Sequence, residues 1–107
     1  MLTLLRVQTQ INLLCFNMAI VTPKPFKFGI IVGSIYDFPK VDDILPSHGH
    51  NETTQHITII ARGAIRVITP VMDQVFQTGA VIDLPAFQMH EFIAAQDDSR
   101  IVNIQKQ

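Results

Sequence analysis

The sequence predicts an all-β protein, a sandwich or barrel built from short strands. Runs rich in β-branched and aromatic residues recur about every eight to twelve residues, with turn residues between them. No segment keeps the period of an amphipathic helix. With 107 residues, of which 48% are apolar, the chain is long enough for one domain with a buried core.

In the first half of the chain, one long β-rich run covers residues 26–35, and we interpret Gly29 and Gly33 within it as bulges. A turn at Pro39 ends this region, because proline cannot donate to a sheet ladder. Residues 42–46 are then predicted to form a loop that leads to the first histidine.

The second half is predicted to contain shorter strands separated by turns. They cover residues 56–61, 64–69, 74–77, 81–84, 89–95 and 100–104. Arg62 and Gly63 form a two-residue turn, so we expect the strands on either side to pair as a hairpin. The predicted core consists of Phe28, Ile60, Phe76, Ile82, Leu84 and Phe92.

All four histidines fall in two short segments. His48, His50 and His56 lie within nine positions, and His90 lies in a later segment that opens at Gly79. In extended chain, His48 and His50 point to the same face because they are two residues apart. Imidazole is the commonest protein ligand for metals, so this grouping predicts a metal site carried on strands.

The residues around these histidines resemble the two sequence motifs of the cupin family. The first motif has a His-x-His pair, a glutamate and a closing glycine. His48 and His50 match the pair, and Gly63 matches the glycine. Counting back from that glycine places His56 where the family has its glutamate.

The second motif combines a glycine, a proline and a histidine, and Gly79, Pro85 and His90 match these in register. The resemblance covers residues 44–94. It is specific because the two motifs match independently of each other.

The match departs from the family at several positions. The gap after the His-x-His pair is one residue longer than usual, so Gln55 competes with His56 for the glutamate's place. Phe87 and Ala94 replace a glycine and an asparagine of the second motif. Glu52 is the nearest carboxylate, and we interpret it as a solvated loop charge. The alternatives for Glu52 are a ligand, or an acid or base beside the metal.

The resemblance implies a double-stranded β-helix (jelly roll) barrel of the small, RmlC-like kind. It also implies one divalent transition metal at the open end, held by His48, His50, His56 and His90. A ligand set of four histidines is neutral. It therefore weakens the hold on a hard cation such as manganese relative to zinc, nickel, copper or iron.

The fold does not imply one reaction, because cupins host many chemistries. The first enzyme class to consider, by family analogy, is a metal-dependent dioxygenase with iron. The alternative is a non-catalytic module that binds a sugar or a carboxylate or senses a metal, and a third possibility is an empty structural barrel. No catalytic residue is assigned.

Composition restricts the partners. The net charge of −1 gives no electrostatic case for nucleic acid or for an anionic membrane, and no apolar run is long enough to span a bilayer. Charged residues make up only 16% of the chain, so we expect a second copy to cover apolar surface in a homodimer. The expected ligand is a small molecule, and the expected compartment is the cytoplasm.

The first 17 residues are predicted to be an extension outside the domain, which covers residues 18–107. They are apolar but interrupted by polar residues, and Met18 resembles a natural chain start. The rival interpretation is an added edge strand or a dimer arm.

Overall fold

The structure is a computed structural model that describes residues 18–48, 56–84 and 88–106, with the backbone alone at His48 and Lys106. These residues form nine strands and no helix. The strands are β1 (Lys24–Phe28), β2 (Ile31–Phe38), β3 (Ile44–His48), β4 (His56–Arg62), β5 (Ala64–Thr69), β6 (Met72–Gln77), β7 (Val81–Leu84), β8 (His90–Ala94) and β9 (Ser99–Lys106). The extension predicted over residues 1–17 lies outside the described residues.

Two antiparallel sheets account for all the described strands. The large sheet has the order β1-β2-β9-β4-β7, and the small sheet has the order β3-β8-β5-β6. Because the chain crosses repeatedly from one sheet to the other, most neighbours within a sheet are distant in sequence. The all-β class predicted from the sequence is therefore confirmed.

The core lies between the inner faces of the two sheets. Alternate residues of each strand point inward, as the period of two requires. The buried cluster consists of Val21, Phe38, Ile60, Ile65, Val67, Ile82, Leu84, Phe92, Ala94 and Ile101. Four of the six predicted core residues belong to it, and Phe76 packs against it.

Phe28 was predicted in the core, and that prediction is wrong, because its side chain is 82% exposed. Phe28 ends the edge strand β1 and pairs with Ile31 beside the turn, on the side of the sheet away from the core. Phe28 therefore contributes an apolar side chain to the outer face of the large sheet.

The hairpin predicted between β4 and β5 is also wrong. β4 pairs with β9 and β7, whereas β5 pairs with β6 and β8 in the other sheet. Gly63, between them, has a φ of 79°, and a Cβ there would overlap Ser99. The Ser99 hydroxyl accepts a hydrogen bond from the Ala64 N–H at 3.2 Å, which fixes the corner between the sheets.

Two smaller predictions also differ from the structure. Gly29 lies in the turn between β1 and β2, with a φ of 61°, and is not a bulge. Gly33 keeps a regular register, and a Cβ there would overlap the Asn103 carbonyl oxygen and the Phe26 ring. The loop predicted over residues 42–46 ends early, because strand β3 begins at Ile44.

Ionic contacts tie four strands of the large sheet together around Asp37. Its carboxylate accepts hydrogen bonds from Arg100 Nε at 2.6 Å and from Lys24 Nζ at 2.9 Å, and Arg62 Nη2 lies 3.7 Å away. The hydrogen bonds from Arg100 and then Lys24 hold the pKa of the Asp37 carboxyl well below its usual range.

We predict that Asp37→Asn lowers the free energy of unfolding by about 1 kcal/mol at neutral pH, a modest loss because solvent screens the partners. The depressed pKa makes this stabilisation complete above the unfolded-state pKa of about 3.9, and it is lost as the pH falls below that value. Urea unfolding at several pH values should therefore show that the free energies of unfolding of the parent protein and of Asp37→Asn become equal in acid. Asp73→Asn, which breaks the exposed pair with Arg66, is the control and should change stability less. An equal loss in both variants would contradict the assignment.

We predict that Gly63→Ala destabilises the protein much more than Gly79→Ala. Both glycines have positive φ, so each alanine costs about 1 kcal/mol of backbone strain. No atom lies within 4 Å of a Cβ at Gly79, whereas at Gly63 it meets the Ser99 backbone, which should add about 2 kcal/mol. Thermal unfolding of both variants measures the difference, and equal losses would show that the corner is not close-packed.

Candidate metal and ligand site

His56 occupies an inward position at the start of β4. It alternates with Thr58 and Ile60, both buried, so the three share the inner face of the large sheet. Its ladder neighbours are Gln105 on β9 and Leu84 on β7. The Nε2 atom of the ring is buried.

His90 occupies the corresponding position at the start of β8, and only 3% of its surface is exposed. It alternates with Phe92 and Ala94 on the inner face of the small sheet, and its ring centroid lies 5.4 Å from that of Phe92. The small sheet therefore carries this histidine toward the space between the two sheets.

The hydrogen bond of His90 indicates its tautomer. Its Nδ1 lies 2.9 Å from the Gln88 carbonyl oxygen, which can only accept, so Nδ1 carries the proton. In a neutral ring the lone pair then lies on Nε2. A backbone carbonyl on one ring nitrogen, with the other nitrogen facing the metal, is the usual arrangement of a metal-binding histidine.

The backbone of His48 lies next to that of His90. The two residues are directly opposite in the antiparallel ladder between β3 and β8, after an irregularity that follows the Leu45–Phe92 pair. Cα atoms of directly opposite residues are about 4.5–5.5 Å apart. A pair of histidines 42 positions apart in sequence thus shares one register position of the small sheet.

The ligand set itself stays a prediction. Among the residues that the structure describes, no group of three or more His, Cys, Asp or Glu could hold a metal ion. His50 and the competing ligands Gln55 and Glu52 lie outside those residues, as does Phe87. His56 and His90 nevertheless fit the implied metal, because they occupy inward positions on facing sheets and the Nδ1 contact of His90 leaves its Nε2 available.

A cavity of about 430 Å³ lies against the inner face of the large sheet. His56 lines it together with residues of β2 and β9, and β1 closes one side. Its described lining is Pro25, Phe26, Val32, Gly33, Ser34, Tyr36, His56, Asn103, Ile104 and Gln105.

Two rows of ladder partners build the polar part of this cavity. Ser34, Asn103 and Thr58 form one row across β2, β9 and β4, and the next row contains Gln105 and His56. Thr58 Oγ1 lies 2.6 Å from Asn103 Oδ1 and donates to it, which orients the amide.

Tyr36, the only tyrosine in the chain, lines the same cavity. It is half-buried in the wall of the cavity. Burial raises the pKa of its hydroxyl, although a hydrogen bond with Ser34 opposes that change. The phenol therefore stays protonated and able to donate at neutral pH.

Sequence reasoning missed Ser34, Asn103 and Gln105. Each is a polar residue that interrupts an apolar run of its strand, residues 30–35 or 101–104 and the position after it, and this interruption is the signal that could have identified them. Met89, next to His90, is 47% exposed. Arg62 lies at the surface and pairs with Asp98 at 3.0 Å.

Solved structures share this fold. A cupin-2 domain protein from Shewanella frigidimarina matches with a TM-score of 0.65 and 15% identity over 97% of this chain and 95% of its own. A double-stranded β-helix protein from Klebsiella pneumoniae matches with a TM-score of 0.70 and 11% identity, over 80% of this chain and 76% of its own. An RmlC-like cupin from Desulfovibrio desulfuricans matches with a TM-score of 0.68 and 20% identity, over 79% and 81%.

These similarities define the class of fold as a double-stranded β-helix. More particularly, the chain has the fold of the cupin superfamily, as its two motifs predicted. No protein-family model and no curated protein matches the sequence. In the part of the chain that the structure describes, no helix is long and apolar enough to cross a membrane.

Proposed function

We propose that this protein is a metal-binding cupin that holds one divalent transition metal through His48, His50, His56 and His90 and binds a small molecule beside it. The observation that carries the proposal is the pairing of His48 with His90, together with the hydrogen bond that directs the proton of His90 to Nδ1.

The donor set suits a borderline metal. Four neutral imidazoles favour iron, zinc, nickel or copper over manganese. A bound metal would supply a Lewis acid at the end of the cavity. The residues of the chain itself hold the small molecule, exclude water and, at Tyr36, present a proton.

Two activities are compatible with such a site. A metal-dependent dioxygenase remains the first enzyme class to test, on family analogy. A non-catalytic module that binds a sugar or a carboxylate is the alternative. It is favoured by the cavity lining, because His56 and Tyr36 are the only titratable side chains among the described lining residues. We propose a cytoplasmic location for either activity.

The proposed homodimer explains the outer face of the large sheet. Ile57 and Ile104 pair across β4 and β9 and point away from the core, next to the pair formed by Ile59 and Val102. Val81, opposite Ile59, extends this surface and is 63% exposed. A solvated sheet face is normally polar, so we propose that a second copy covers this one.

We predict that protein purified without a histidine tag carries one metal per chain by elemental analysis. His90→Leu keeps the bulk beside Phe92 but removes the ligand nitrogen, so the metal content should fall to background. Met89→Ala, at the exposed neighbouring position, is the control and should keep the metal.

The same measurement identifies the ligand at the position of the family's glutamate. Loss of metal in His56→Ala, but not in Gln55→Ala or Glu52→Gln, would support the four-histidine set. A folded His90→Leu protein with its full metal content would contradict the proposal.

We predict that the protein is a dimer by light scattering and that Ile57→Lys converts it to a monomer, because a buried unpaired charge opposes association. Val75→Lys is the matched control. It introduces the same charge at a 46% exposed strand position of the small sheet and should leave the dimer intact. A monomeric parent protein at micromolar concentration would reject the proposed interface.

A further inference from the structure

We propose that the cavity on the inner face of the large sheet binds an uncharged, hydroxyl-rich molecule of about the size of a monosaccharide, and that Tyr36, Ser34, Asn103 and Gln105 recognise it. This inference rests on the proposed small-molecule function and decides between the two ligand classes, sugar and carboxylate, that the sequence left open. It concerns the wall of the cavity, and it does not depend on which metal is bound.

The absence of charge in the wall argues against an anion. None of the described lining residues is Asp, Glu, Lys or Arg. Apart from the metal proposed at its His56 end, the cavity would offer a carboxylate that left water no opposite charge to replace its hydration. The described arginines are engaged elsewhere: Arg100 with Asp37, Arg62 with Asp98 and Arg66 with Asp73.

The hydrogen-bonding groups of the wall match hydroxyls well. The hydroxyls of Ser34 and Tyr36 can each donate one hydrogen bond and accept two, so their mutual bond leaves capacity for a ligand. Asn103 Oδ1 accepts the hydrogen bond from the Thr58 hydroxyl, so the NH₂ group of Asn103 is the part that mainly serves a ligand, as a donor. Gln105 adds both a donor and an acceptor. A sugar hydroxyl, which both donates and accepts, suits such a mixed set, whereas a carboxylate only accepts.

The remaining lining suits the carbon skeleton of such a molecule. Val32 and Pro25, the ladder partners of Gln105 and Ser34, contribute apolar surface beside the polar rows. Small-molecule sites commonly combine a mostly apolar wall with a few placed polar groups, in cavities of about 300–1,000 Å³. A volume of about 430 Å³ lies near the lower end of that range, which favours a single ring over an oligomer.

The test compares neutral sugars with their acidic counterparts. The probes are the methyl glycosides of glucose, galactose and mannose, together with glucuronate, galacturonate and mannuronate. Calorimetric titration of the purified protein should show at least one glycoside binding at millimolar concentration and its uronate binding about tenfold more weakly. Equal or tighter binding of the uronate, or no binding of any glycoside, would overturn the inference.

Substitutions locate the binding. Tyr36→Phe and Gln105→Ala should each weaken glycoside binding about fivefold, the effect of one lost neutral hydrogen bond. Gln77→Ala removes an exposed glutamine from strand β6, outside the cavity, and should have no effect. Unchanged binding in both cavity variants would overturn the assignment.

Elemental analysis of the same samples separates this inference from the proposed metal function. Glycoside binding by a protein without metal would reject the metal site and keep the inference. Metal binding combined with a preference for uronates would reject the inference and keep the metal site.

Discussion

The packing of Phe92 and Ala94 between the sheets is the constraint on which the candidate site depends. Side chains alternate along β8, so the burial of these two residues fixes His90 on the same inner face. If the pairing of β8 slipped by one residue, His90, Phe92 and Ala94 would all turn outward, and the fully buried Phe92 ring would be exposed to solvent. The same register places the backbone of His48 opposite His90. The hydrophobic core thus sets the geometry of the histidines.

Polarity changes along the inner face of the large sheet. On β4 the inward residues run from Ile60, fully buried, through Thr58 to the half-buried His56. On β9 they run from Ile101 to Asn103 and Gln105. One end of the barrel is therefore closed by apolar packing, while polar side chains collect at the other end. The Asp37 ion cluster is near the closed end, so it braces the strands without contacting the cavity.

The sequence predicted what depends on local pattern. Alternation identifies most strands, and the spacing of His48, His50 and His90 matches the cupin motifs in the sequence alone. Gly63 was misinterpreted because a two-residue turn between alternating strands has the same local pattern whether it closes a hairpin or crosses to another sheet. The row of Ser34, Asn103 and Thr58 was missed because it exists only in the pairing of distant strands.

The strand β9 combines polar residues inside with apolar residues outside, the reverse of an ordinary solvated sheet. Asn103 and Gln105 line the cavity, whereas Val102 and Ile104 pair outward with Ile59 and Ile57. For an isolated barrel this reversal would cost stability on both faces, because polar groups lose water inside and apolar groups meet water outside. A hydroxyl-rich ligand inside and a second copy outside would remove both costs. The two proposals therefore explain the same strand, one for each of its faces.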